Sequence, residues 1–173
     1  MSEESKLILC ESIVLSHFNF GDSVFLNIDK YLQGRIQRIQ NICLRFIFGI
    51  RKKSKCDYDE LRSRHKILDM NQRRILHGLT SLFKVLKNHE PSYLADFFTQ
   101  YKEIRMRNTS ICDLNIYQPD VQISSIHSRA FNFYIPRVWN LLPGDIKAAN
   151  TLNTFKIKVK KLLLTNNLEI PAL

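Results

Sequence analysis

The stretch from Tyr31 to Ile50 constrains the fold most, because its apolar and its basic residues each keep a helical phase. At about 100° per residue, Leu32, Ile36, Ile39, Cys43, Phe46, Ile47 and Ile50 fall on one stripe, and Arg35, Arg38 and Arg45 on another. One side predicts a core contact and the other a face toward solvent or polyanions. Asp29 is the expected N-cap, and Gly49 followed by Arg51-Lys52-Lys53-Ser54-Lys55 predicts the stop, with positive charge at the negative end of the helix dipole. No side chain of this helix makes or breaks covalent bonds, so a binding or scaffolding role is expected.

The flanking sequence is also helical in pattern. Lys6 to Phe18 spaces Leu7, Cys10, Ile13, Val14 and His17 by three or four residues, with an outer side thin in charge. Asp57 and Glu60 form a D-x-x-E capping box before a short helix to about Arg64. Asp69 and Gln72 form a second box before a long helix to about His89, stopped by Pro91, with Ile75, Leu79, Leu82, Phe83 and Leu86 inward. A short helix is expected over Ser92 to Phe98. From Tyr101 to about Val121 the period disappears, which predicts a basic loop (Lys102, Arg105, Arg107) and one or two extended pieces. The aromatic segment Ser128 to Pro143, with the single Trp, should pack tightly. Asn150 is the expected N-cap of a last helix from Thr151 to about Thr165, with Leu152, Phe155, Val159, Leu162 and Leu163 inward. The fold class is therefore mainly α: an irregular helical domain with a long central basic amphipathic helix and a small extended or β segment around 110–135.

The net charge of +10 is unevenly spread: residues 1–34 carry −3, residues 35–74 carry +8 and residues 75–173 carry +5. A concentrated positive segment is the footprint of a surface that meets nucleic acid or another polyanion. Arg35, Arg38, Arg45, Arg51, Lys52, Lys53 and Lys55 are the candidate phosphate contacts, to RNA or DNA backbone; the Lys52-Lys53-Ser54-Lys55 run also fits a nuclear import signal. Catalytic and metal sites are not expected. Asp57 and Asp59 precede helical, basic sequence and lack the hairpin that a magnesium-binding carboxylate pair needs. Cys10, Cys43, Cys56 and Cys112 form no C-x-x-C pair and have no His at zinc-ligand spacing. His65, His77, His89 and His127 have no Ser, Cys or carboxylate at a spacing that makes a catalytic group. No cofactor is implied. No apolar run reaches the roughly 18 residues of a membrane span, and the acidic Met1-Ser2-Glu3-Glu4-Ser5 start lacks secretory features, so a nuclear or cytoplasmic location is expected.

The order of features resembles the C-terminal region, beyond the palm, of reverse transcriptases from non-LTR (LINE-type) retrotransposons of the jockey and CR1-like kind. The residues that carry the resemblance are Ile36-Gln37-Arg38-Ile39-Gln40-Asn41 with Leu44-Arg45-Phe46-Ile47, then Pro91-Ser92-Tyr93-Leu94, Arg129-Ala130-Phe131, the block Pro136-Arg137-Val138-Trp139-Asn140-Leu141-Leu142-Pro143, and Phe155-Lys156. Together they run from about Lys6 to Leu164, and the P-R-x-W-N-x-L-P block, with Pro136, Arg137, Trp139, Asn140, Leu142 and Pro143, is the most specific. The resemblance implies a thumb-like helical segment over 1–50 that helps hold template and primer, a C-terminal helical domain over 51–173, and a polymerase palm as a further partner. It does not imply catalysis here, because the family's Y-x-D-D aspartates lie upstream of the matching region; Phe20-Gly21-Asp22 stands where the family usually has Y-C-D. The residues also leave open a helical protein-interaction module with uncovered apolar faces, and a retroelement remnant without function.

Overall fold

The computed structural model describes residues 1–22, 26, 28–52, 54–89, 91–104, 114–118 and 130–165, and they fold as the mainly α protein the periodicity predicts. Two compact units are present, Met1–Arg74 and Ile75–Leu173. The resemblance implies a division at 50/51; in the structure residues 54–74 belong to the first unit, where side chains of the central helix bind the backbone of Ser54, Leu68 and Met70.

In the first unit, α1 (Glu3–Leu9) is capped by Ser2, whose hydroxyl accepts from Ser5 N–H at 3.2 Å. It continues through a π-helical segment, Cys10–Leu15, into α2 (Ser16–Asn19). Ser12 Oγ donates to the Ile8 carbonyl (2.8 Å) and Ser16 Oγ to that of Ser12 (2.6 Å), back-bonding of the kind that bends helices. The wider turn shifts the phase of the expected stripe. Cys10 and Leu15 are buried, whereas Ile13 and His17, expected inward, are exposed.

The central helix, α3 (Lys30–Ile47), starts where expected, with the Asp29 carboxylate accepting from Tyr31 N–H at 3.2 Å. It ends on Gly49 (φ +64), and Ile50 N–H donates back to the Arg45 carbonyl at 2.9 Å. The buried stripe is rotated from the expected one. Gln40, Cys43, Leu44 and Ile47 are buried, while Leu32 and Phe46 are exposed. The buried Gln40 belongs there because its Nε2 donates to the Leu68 carbonyl at 2.8 Å. Gln37 Oε1 accepts from Met70 N–H at 3.0 Å, so two amides of one helix satisfy the end of the connector after α4 (Tyr58–His65) and the first turn of α5 (Met70–Asn88). Asp57 caps α4, accepting from Asp59 N–H and Glu60 N–H. The 69/72 capping box forms reciprocally: Asp69 N–H donates to Gln72 Oε1 (3.0 Å) and Gln72 N–H to Asp69 Oδ1 (2.7 Å).

Unit boundaries fall within α5, whose remainder, from Ile75, builds the second core. Ile75, Leu79, Leu82 and Phe83 are buried as expected, Val85 joins them, and Leu86 is half-buried. Then come α6 (Ser92–Ala95), α7 (Tyr101–Ile104), α8 (Phe131–Leu141), α9 (Gly144–Lys147) and α10 (Leu152–Leu164). Phe83 stacks on Phe155 (centroids 4.4 Å apart), and Trp139 lies 5.7 Å from the same ring. The last helix is capped by Thr151, one residue later than expected, its hydroxyl accepting from Thr154 N–H at 3.2 Å.

Among the described residues there is no sheet. The expected extended segment is represented by one antiparallel bridge, Gln100 with Ile116, while residues 131–135 are helical. The expected basic loop positions Arg105 and Arg107, and residues 119–129 with Arg129, lie outside the described residues.

The bridge is held by the P-R-x-W-N-x-L-P block. Asn140 Oδ1 accepts from Ile116 N–H (2.8 Å) and its Nδ2 donates to the Ile116 carbonyl (2.9 Å), so one amide pairs like a neighbouring strand. Trp139 Nε1 donates to the Leu114 carbonyl at 2.9 Å. Buried Lys147 donates to Asn115 Oδ1 (2.6 Å) and to the Asn140 carbonyl (3.1 Å). Pro136 and Leu142 are buried, Arg137 is half-buried, and exposed Pro143 opens α9. Replacing Asn140 by Ala strands two polar groups of a residue that is 1 % exposed. A loss of about 2–3 kcal/mol is expected in urea unfolding followed by the fluorescence of Trp139.

Candidate nucleic-acid interface

The basic segment starts on α3. Between Asp29 and Asp57 the chain has no acidic residue, so the helix and the loop after it form an uninterrupted basic stretch. Arg35 and Arg38 are exposed on the outer face, and the Arg35 guanidinium lies 6.0 Å from the centroid of Tyr31, one turn earlier.

Arg45, expected among the phosphate contacts, has a different position. Its Nε donates to Tyr58 Oη, its Nη1 to the Arg51 carbonyl (2.6 Å) and its Nη2 to the Ser54 carbonyl (3.0 Å), with the guanidinium 5.4 Å from the Tyr58 ring centroid. A planar fork with donors at fixed angles suits several acceptors at once. Arg45 therefore ties the Arg51 and Ser54 carbonyls to the end of α3, and Arg51, Lys52 and Lys55 are exposed side chains beside these anchors. Lys53, the seventh expected contact, lies outside the described residues. Arg62 ties α4 to the same helix, donating to Asn41 Oδ1 at 3.1 Å and pairing with Asp59. Among the described residues, Arg35, Arg38, Arg51, Lys52 and Lys55 form no ion pair with a carboxylate.

The carboxylates nearby are structural: Asp57 caps α4 and Asp59 pairs with Arg62. Among the described residues no group of three or more His, Cys, Asp or Glu gathers as a metal site, and no helix is long and apolar enough to cross a membrane. Sequence reasoning did not single out Tyr31 or Tyr58. The signal for Tyr31 was its i,i+4 spacing to Arg35, whereas the pairing of Tyr58 with Arg45 depends on the fold of the intervening loop. Comparison with protein-family models, curated proteins and solved structures gave no match to this chain.

Beneath the basic face, Cys10 and Cys43 pack with Ile47, bordered by Leu7, Val14 and Phe48. Burial, with the Cys10 thiol beside it, pushes the Cys43 thiol from its ordinary 9.0 up to about 11. The folded state then holds its proton more tightly than the unfolded chain. This contribution to stability is complete below pH 9, the unfolded value, and is lost as pH rises through about 11. Chemical denaturation between pH 8 and 11 should show stability falling, and Cys43→Ala should flatten the fall. A wild-type protein as stable at pH 11 as at pH 8 contradicts the burial of this thiol.

Proposed function

We propose that this chain is the non-catalytic C-terminal region of a non-LTR retrotransposon reverse transcriptase, and that its first unit binds the backbone of template RNA or primer DNA without sequence preference. The observation that carries the binding reading is the set of five exposed cations, Arg35, Arg38, Arg51, Lys52 and Lys55, without an ion pair among the described residues. Folded proteins commonly place acids among surface cations; a stretch that omits them favours a polyanion. Arg45 serves this site by position, through the loop it holds. The family reading is supported by the sequence resemblance; in its strongest block Trp139 is buried in the core of the second unit and half-buried Asn140 bonds Ile116. In this reading the chemistry belongs to a palm outside this chain, and the present residues supply affinity and orientation.

Phosphate contacts release counterions, so each adds about 0.7 to the salt slope on a single strand and about 0.9 on a duplex. The double variant Arg35→Ala/Arg38→Ala should flatten the slope by about 1.4 on single-stranded RNA or about 1.8 on duplex. Affinity titrations at several salt concentrations read this directly. An unchanged slope removes these arginines from the interface.

A second reading, a module that recruits a protein partner, is favoured by a specific observation. Ile8, Ile13 and Phe20 are 66 %, 57 % and 91 % exposed. A half-open, mainly apolar pocket of about 280 Å³ adjoins Phe20, walled by Phe18, Ile28, Leu32 and Ile36. Exposed apolar surface of this kind attracts partners. Light scattering should then show self-association that Ile8→Glu/Ile13→Glu abolishes; a monomer that binds no hydrophobic dye argues against it.

A further inference from the structure

The outer ridge of α3 carries an aromatic ring for which the fold has no internal use. Tyr31 is 67 % exposed at the first turn, outside every buried cluster. Tyr31, Arg35, Arg38 and Ile42 follow at i, i+4, i+7 and i+11, which places them along one ridge. At a rise of 1.5 Å per residue, Arg35 and Arg38 stand about 6 and about 10.5 Å further along the axis than Tyr31. Ile42, 66 % exposed, continues the ridge with an apolar side chain. The Arg35 guanidinium, 6.0 Å from the ring centroid, steadies the tyrosine against one side and leaves most of its surface in solvent.

We propose that this ridge is a track for single-stranded nucleic acid, in which Tyr31 stacks on an unpaired base while Arg35 and Arg38 hold the adjoining phosphates. The inference rests on the nucleic-acid reading of the same helix and names its ligand. In a duplex each base is covered by its neighbours and its partner, so an exposed tyrosine gains little from meeting one. A single strand offers the π-face of every base, and aromatic side chains interleaved with cations are the general solution for holding it. Stacking is tolerant of sequence, as phosphate contacts are.

The test uses the full chain and labelled oligo(U), oligo(dT) and a mixed-sequence DNA duplex, each of about 12 nucleotides, in anisotropy titrations. Wild-type protein should prefer a single strand to the duplex. Tyr31→Ala should weaken single-strand binding about tenfold, leaving duplex binding and the salt slope unchanged, and Tyr31→Trp should restore it. Recovery by Trp excludes unfolding as the cause, and whichever of oligo(U) and oligo(dT) responds identifies the strand. Single-strand affinity unmoved by Tyr31→Ala, or a loss equal on duplex and single strand, overturns the stacking role and leaves the arginine contacts standing. No binding of any probe by wild-type protein at low salt overturns both readings.

Discussion

The structure depends on side chains carried by helices satisfying the backbone of segments that are not helical. A chain without a sheet among its described residues has no ladder in which connectors can pair, and a buried, unpaired amide or carbonyl costs about 1–3 kcal/mol. Gln37 and Gln40 of α3 meet this need at Met70 and Leu68, and Arg45 meets it at Arg51 and Ser54. In the second unit Asn140 and Trp139 serve the backbone of Ile116 and Leu114, and Lys147 adds a bond to the Asn115 side chain. Each is a long or planar polar group on a rigid helix, able to reach a strand-like piece without bending it.

This arrangement gives the proposed function a location. The same helix that buries Gln40, Cys43, Leu44 and Ile47 on one side presents Arg35 and Arg38 on the other, and Arg45 at its end shapes the turn that displays Arg51, Lys52 and Lys55. The core and the basic face are thus two sides of α3. A change in the buried stripe would rotate the arginines, so the display of these cations and the stability of the first unit are coupled through one element. Tyr58 joins the two roles, because its hydroxyl accepts from Arg45 while its backbone opens α4.

Much of the fold was legible in the sequence where a local rule acts alone. Asp29, Asp57 and the Asp69/Gln72 pair cap helices as read, since capping needs only neighbours within one turn. Gly49 ends α3 for the same reason. The errors lie where an interaction outside the spacing rule decides. Counting at 100° per residue placed Ile13 and His17 inward, but two serine back-bonds accompany a π-helical turn that moves Leu15 there. Spacing puts Leu32 and Phe46 on the core stripe and leaves Gln40 off it, because no pattern rule anticipates a buried amide whose partner is the Leu68 carbonyl.

The sequence by itself determined that the chain is helical, that positive charge concentrates from Arg35 to Arg74, and where α3, α4 and α5 start and stop. These are properties of spacing and composition, fixed before any tertiary contact forms. Only the tertiary structure decided which cations are available, because availability depends on the acceptors that folding brings near. Arg45 and Arg62 look like Arg35 and Arg38 in a sequence, yet the former meet carbonyls, Tyr58, Asn41 and Asp59, and the latter meet solvent. The purpose of the Trp139-Asn140 pair was likewise hidden, since its partners lie about 25 residues earlier in the chain and become neighbours only once α8 has packed.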